Sequence, residues 1–277
     1  MSIVAVTGAS GRAGRAVVRD LVDHGHQVLA TDIDVAPADL PVRLVRADLT
    51  DYGQVVDLLN GVEKIVHLAN IPAPGLRPSV LTYNANTTMN ANVFFAASQL
   101  GVERVVWASS ETTLGLPFDT SPRYAPVDED HYPLPTSTYA LSKVVGETTA
   151  RHVADLTGIP FVALRFSNIL GPAEYEHFPT VWRDPIQRKW NLWGYVDDRD
   201  VAQACRLSLD AGVSGAESFI IAAADTVMDR PSRDVLAEVY PDVAVVKDIG
   251  AFETLLSIDR ARAVLGYAPE HSWRDHL

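Results

Sequence analysis

Cysteine is nearly absent. The only one in 277 residues is Cys205, so an internal disulfide and a thiolate metal cage are excluded. Its neighbours, "DVAQACRLSL", read as one face of a helix and make it a core thiol. Basic residues are also scarce: 23 Lys and Arg stand against 35 Asp and Glu, a net charge of -12. No basic cluster is available to neutralise successive phosphates, which argues against a nucleic-acid partner. No apolar run approaches the roughly 20 residues of a membrane span, so no membrane partner is expected. The opening "MSIVAVTG" carries no basic stretch and no small-residue cleavage pattern, and a cytoplasmic location is the expectation. Internal repeats and low-complexity segments are missing as well.

What is present is a soluble globular composition, 47% hydrophobic and 21% charged, in a chain long enough for one large domain or a main domain with an appendage. Short apolar runs at 2–8, 26–32, 42–48, 64–70, 104–110 and 160–166 read as strands, several continuous in Val, Ile and Leu. Runs apolar on both faces predict a parallel sheet covered by helices. Helical patterns fall between them at about 12–22, 52–60, 84–100 and 137–157. The β-α-β-α order gives the expected fold class, an α/β doubly wound parallel sheet of the Rossmann type. Pro-rich and polar stretches at 71–79 and 116–138 interrupt this rhythm after proposed strands, at the edge where open α/β sheets bind ligands. Residues 1–171 are read as a dinucleotide-binding domain and 172–277 as a small C-terminal substrate-capping region, with about 194–222 returning to the first domain.

The segment "VTGASGRAG" (6–14) lies between the first strand and the first helix. Gly8, Gly11 and Gly14 are spaced G-x-x-G-x-x-G, one residue longer than the G-x-G-x-x-G fingerprint. Glycines at such a turn admit positive φ and close backbone approach, and the helix N-terminus offers N–H groups to a pyrophosphate. Ser10, Arg12 and Ala13 complete this cradle. Asp32 ends the second strand, 18 residues beyond Gly14, where a carboxylate can accept from the adenine ribose hydroxyls and repel a 2′-phosphate. The expected cofactor is therefore NAD, with Asp34 competing with Asp32 for the ribose and Arg12 as a possible phosphate contact.

In "TSTYALSKVVGE" (136–147), Tyr139 and Lys143 stand four residues apart and share a helix face. A phenol is a poor base at neutral pH, and an ammonium held nearby favours the phenolate. "WASSETTLG" (107–115) closes the fifth strand with Ser109 and Ser110, where a hydroxyl can reach a substrate oxygen and share its developing charge.

Together these stretches resemble the extended short-chain dehydrogenase/reductase family, also called the NAD-dependent epimerase/dehydratase family. The resemblance rests on "TGASGRAG", Asp32, "ADL" (47–49), "VHLAN" (66–70), "NTTMNA" (86–91), "WASSETTLG", "YALSK", "LRFSNILGP" (164–172) and "YVDDRDVAQA" (195–204), in family order and spacing up to about residue 204. It implies that Asp48 and Leu49 border the adenine, that Leu68, Ala69 and Asn70 line the cofactor, and that Asn86 lies near the nicotinamide half. It also implies a catalytic set of Ser110, Tyr139 and Lys143, with Lys143 holding the nicotinamide ribose. Asn168 and its neighbours are implied to close over nicotinamide and substrate. A homodimer is implied too, built on the helices at 84–100 and 137–157.

The chain departs from that pattern in places. Nucleotide-sugar enzymes carry an Arg before their "YVDD"-like motif, and the matching position here is Asn191, with Arg188 and Lys189 upstream and a short gap from Pro172 to Tyr195. A small sugar-like substrate is therefore expected, and the compact uronate dehydrogenases resemble the chain most in size and layout. Their serine precedes an Asn-His pair, where this chain has Glu111 and Thr112. Glu111 is open to three readings: it hydrogen-bonds sugar hydroxyls, it is an extra acid/base as in the dehydratases, or it is a solvent-facing loop carboxylate. Arg165 either offsets Glu111 for an acidic substrate or is structural beneath the sheet. His24, His26 and "EYEHF" (174–178) fit no metal-ligand spacing, and no metal site is expected. The leading expectation is an NAD-dependent dehydrogenase acting on a hydroxyl or hemiacetal of a small carbohydrate. The alternatives are an epimerase or dehydratase that recycles its NAD internally, and a non-catalytic dinucleotide-sensing protein.

Overall fold

The structure, a computed structural model, describes residues 2–34 and 39–276. Its strands are β1 (Ile3–Thr7), β2 (Gln27–Asp32), β3 (Leu44–Arg46), β4 (Lys64–His67), β5 (Arg104–Ser110), β6 (Phe161–Phe166), β7 (Ile169–Leu170), β8 (Val196–Asp197) and β9 (Ala216–Ile221). The helices are α1 (Arg12–Asp23), α2 (Tyr52–Leu59), α3 (Ser79–Leu100), α4 (Thr138–Thr157), α5 (Pro172–Tyr175), α6 (Asp198–Ser208), α7 (Ser232–Val239) and α8 (Asp259–Leu265).

Seven strands form one sheet in the order β3-β2-β1-β4-β5-β6-β9, and every pairing in it is parallel. This is the α/β doubly wound arrangement expected of the alternating pattern. Strand residues apolar on both faces explain it. In β1, Val4 and Val6 face one buried cluster while Ala5 faces another; in β5, Val106 faces the first, and Val105 and Trp107 the second. Helices α1 and α6 pack together on one side, and α2, α3 and α4 on the other. Gly146 lets α4 come close, because a Cβ there would lie 2.8 Å from Asn90 and from Trp107.

The chain runs outward from β1 to β2 and β3, then returns to place β4 on the other side of β1. This reversal is the topological switch point, where the loops after β1 and β4 diverge and leave a crevice. Some boundaries differ from the sequence reading. Helix α3 begins at Ser79, five residues before its predicted start, with Pro78 at its N-cap and the Pro78 carbonyl accepting from Thr82 N–H. Strand β3 is shorter than the predicted 42–48. The C-terminal region is joined by residues before 172: Ala125 and Val127 make parallel bridges to Val245 and Leu256. Cys205 is fully buried, and burial pushes its thiol pKa up. Among the described residues no helix is long and apolar enough to cross a membrane.

Candidate active site

A cavity of about 1000 Å³ opens along the carboxyl ends of β1, β2, β4, β5 and β6. At one end is the turn after β1. Gly8 has φ of 69°, and a Cβ on it would lie 2.7 Å from the Ala69 backbone nitrogen, so the loops after β1 and β4 meet where only glycine fits. Gly14, in the first turn of α1, is tighter still: a Cβ there would lie 2.1 Å from the Gly8 carbonyl oxygen. Helix α1 starts at Gly11 with no side-chain cap and no acidic residue in its first turn. Its positive end is therefore left for an anionic ligand.

Asp32 reaches back to this loop. Its Oδ2 accepts from Ser10 N at 3.0 Å and Ser10 Oγ at 2.6 Å, and its Oδ1 accepts from Ile33 N at 2.8 Å. Arg12 lines the cavity too, but its guanidinium is held by both carboxylate oxygens of Glu174 in α5. Thr31 Oγ1 and Asn70 Oδ1 are buried without a hydrogen-bond partner, and both residues line the crevice. Unpaired buried polar atoms, an uncapped helix end and a cradle that a Cβ would fill fit a dinucleotide. Beneath it, Thr7 Oγ1 pairs with His67 Nδ1 at 2.6 Å, and His67 Nε2 with Asn90 Oδ1 at 3.1 Å. Burial, then the nearby Lys143, lowers the His67 pKa to about 3, so this bridge is neutral.

The other end holds the candidate reacting groups. Ser137 caps α4 by accepting from Ala140 N–H at 3.1 Å, which sets Tyr139 in the first turn with Lys143 one turn on. Both are buried. Lys143 Nζ donates to the Ala108 carbonyl at 2.8 Å and lies 5.4 Å from the Tyr139 ring centroid. The adjacent serines have separate partners. Ser109 Oγ donates to Glu147 at 2.6 Å, whereas Ser110 Oγ accepts from both Thr112 N and Thr112 Oγ1, at 3.2 and 3.0 Å. With both lone pairs occupied, the Ser110 hydroxyl has its proton left to donate.

Electrostatics differ from the expected activation of the phenol. Burial pushes the Tyr139 pKa up to about 12; the Ser110 hydroxyl opposes this and the Glu111 carboxylate adds to it. Burial brings Lys143 down to about 7, against the pull of Glu147. Desolvation is the largest cause of both shifts. Glu111 is only 4% exposed, so the solvent-facing reading is corrected, and burial raises it to about 7 against Ser167, Asn191 and Arg188.

The cavity wall includes Gly8, Ser10, Gly11, Arg12, Ala13, Gly14, Asp32, Asp48, Leu49, Leu68, Ala69 and Asn70, and farther along Ser110, Glu111, Thr112, Tyr139, Lys143 and Asn168. Two expected residues lie outside it. Arg165 is 3% exposed and forms a two-point ion pair with Glu147, at 3.0 and 2.9 Å, while its guanidinium stacks over Tyr132. With its charge met beneath the sheet, it does not reach the substrate end. Asn86 instead pins the loop after β4, accepting from Ile71 N at 2.8 Å and donating to Ile71 O at 3.1 Å. Sequence reasoning did not name Trp190, and covered Ser167 only as a neighbour of Asn168; both line the wall. The only signal for Ser167 was its place beside Asn168 in "LRFSNILGP".

The fold and this cavity define an α/β protein with a dinucleotide-like crevice and a Ser, Tyr and Lys at its other end. The NAD dependent epimerase/dehydratase family model matches residues 4–222, and the chain belongs to that family. It is therefore an NAD-dependent enzyme. An NAD-dependent glucose-6-phosphate dehydrogenase of Haloferax volcanii is 28% identical over 96% of this chain and 92% of its own. A uronate dehydrogenase of Pseudomonas putida is 30% identical over 59% of each chain. The crystal structure of a short-chain dehydrogenase/reductase superfamily protein from Agrobacterium tumefaciens, with bound NAD, superimposes with a TM-score of 0.74 at 23% identity, covering 98% of this chain and 94% of that one.

Proposed function

We propose that the enzyme is an NAD-dependent dehydrogenase that oxidises a hydroxyl or hemiacetal of a small carbohydrate. The observation that carries this reading is the convergence of Ser110, Tyr139 and Lys143 at one end of the dinucleotide cavity. The relatives named for oxidation of single sugars support it. Bound NAD supplies the hydride acceptor. Tyr139, as phenolate, takes the hydroxyl proton and becomes a neutral phenol. Ser110 donates a hydrogen bond to the same oxygen and holds it toward Tyr139. Two of the three Lys143 N–H donors stay free beside the bond to Ala108, to hold ribose hydroxyls and favour the phenolate once the site is filled.

In this reading Asp32 accepts from the adenine ribose, Asp48 and Leu49 border the adenine, and Leu68, Ala69 and Asn70 follow the cofactor. Asn168, Glu111 and Thr112 face the substrate. Residues 1–171 form the cofactor domain and 172–277 the capping region, with 194–222 returning to the sheet. The working form is a homodimer in the cytoplasm. The exposed apolar side chains Leu81 and Phe95 on α3, and Leu141 and Leu156 on α4, support a helical interface; a monomer in sedimentation at micromolar concentration contradicts it.

A second reading, an epimerase or dehydratase that recycles its NAD, is favoured by one observation: Glu111 is buried close enough to Tyr139 to raise its pKa. Incubation with added NAD and a panel of free aldoses, uronates and polyols separates the two. The dehydrogenase accumulates NADH, whereas the recycling enzyme changes the sugar with no net NADH.

A further inference from the structure

Beside Ser110 and Tyr139 the cavity ends in polar atoms left without partners. Glu111 Oε2, Ser167 Oγ, Asn191 Oδ1 and Arg188 Nε are all buried with no hydrogen-bond partner within 3.5 Å, Ser167 lying near enough to Glu111 to hold its carboxyl pKa down in part. Glu111, Ser167 and Asn191 are respectively 4, 3 and 0% exposed. Glu111 and Ser167 form part of the cavity wall, and Asn191 and Arg188 lie behind them. The cluster is built, since Asn191 Nδ2 donates to Glu111 Oε1 at 3.3 Å and to the Gly194 carbonyl at 2.9 Å, and Arg188 donates to that carbonyl at 2.8 Å. A Cβ on Gly194 would lie 3.0 Å from Ser167 Oγ and 2.7 Å from Leu256, so the backbone must come this close.

The segment carrying Asn191 is also strained. Leu192 and Trp193 both have left-handed backbones, with φ of 53° and 59°. The strain is held by Trp193 Nε1 donating to Pro185 O at 2.8 Å and by Val227 N donating to Trp193 O at 2.9 Å. Consecutive non-glycine residues persist in this region only when their surroundings impose it, commonly at ligand sites.

Unpaired buried polar groups are costly, and those on the cavity wall can be satisfied from the cavity. The wall atoms are acceptors or a hydroxyl, and the Arg188 guanidinium behind them donates to the Gly194 carbonyl and stacks over Trp190 without lining the cavity. That chemistry suits O–H donors and opposes an anion. Resting on the dehydrogenase reading above, we propose that Glu111 Oε2 and Ser167 Oγ form the specificity subsite, binding a pair of hydroxyls on a neutral sugar next to the carbon being oxidised. Asn191 is a positioning residue that fixes Glu111. A ring bearing a carboxylate or phosphate at this subsite places an anion against Glu111 and is rejected.

The test uses the full-length enzyme with NAD, measuring NADH formation from neutral aldoses and from the uronate and 6-phosphate of the same sugars. Glu111→Ala, Glu111→Gln and Asn191→Leu are compared with wild type, and NAD-induced thermal stabilisation checks that each variant folds. The wild type is expected to prefer the neutral aldose. Glu111→Ala is expected to raise its KM by about 10- to 100-fold with little change in kcat, Asn191→Leu to raise KM in the same direction, and Glu111→Gln, which keeps the shape and hydrogen bonding, less than either. The proposal is overturned if the uronate or phosphate is used as well as the neutral sugar, if KM ignores Glu111→Ala, or if the loss falls on kcat, the mark of an acid/base. Absence of NADH from every sugar, with NAD binding intact, instead removes the dehydrogenase reading and this inference with it.

Discussion

Lys143 and Tyr139 face each other on the cavity wall with the Lys143 Nζ 5.4 Å from the centroid of the phenol ring, and both are buried. Burial holds the phenol at about 12 and the amine at about 7, so the phenol is neutral at neutral pH and the amine titrates there. A base that must be phenolate then works best in alkaline solution. The rate of NADH formation under subsaturating sugar is expected to climb from about pH 7 to about pH 9. A rate that is flat or falls over that range contradicts the assignment.

Gly14 is the position where the cofactor cradle tolerates least. The Cβ of Gly14→Ala meets the Gly8 carbonyl, a backbone atom with nowhere to move. In wild type, NAD at about 100 times its Kd should stabilise the fold by about 2.7 kcal/mol. In Gly14→Ala that stabilisation is expected to vanish in a thermal-shift measurement. Its retention shows that the pyrophosphate is bound elsewhere.

Asp32 is expected to set the cofactor preference. Its carboxylate faces the crevice while holding Ser10 by two hydrogen bonds. Isothermal titration is expected to show NAD binding more tightly than NADP, with Asp32→Ser narrowing the gap and weakening NAD as the Ser10 anchor is lost. Equal wild-type affinities refute this.

Glu111 gives stability a pH dependence of known sign. Its folded pKa, about 7, lies above the ordinary 4.5. The stability it contributes is fully present below about 4.5 and is lost as pH rises through about 7, by at most about 3 kcal/mol. Glu111→Gln has no such proton. Thermal unfolding should find this variant more stable than wild type at about pH 8, with the difference gone near pH 4. A gap that grows toward acid overturns the sign.

How much of this was readable from sequence depends on the range of each interaction. Strands β1 and β5 were legible because both faces are apolar, which only a covered parallel sheet explains. The glycine loop was legible because Gly8 and Gly14 answer local steric demands. Arg165 was ambiguous because its partner, Glu147, comes from α4; the available clue was that Glu147 continues the Tyr139, Lys143 spacing by one more turn. Asn191 meets Glu111 across 80 residues, and Arg12 meets Glu174 across 162. No periodicity encodes such pairs. The C-terminal third, where short elements such as α8 are joined by irregular chain, offered little pattern to read.

The central claim is that Tyr139 moves the proton, and one measurement addresses it directly. NADH formation is followed for wild type and Tyr139→Phe at saturating NAD with the best sugar of the panel, alongside the NAD-induced thermal shift. The account predicts a loss of at least about 100-fold in rate with NAD binding retained. A variant that turns over within a few-fold of wild type contradicts it.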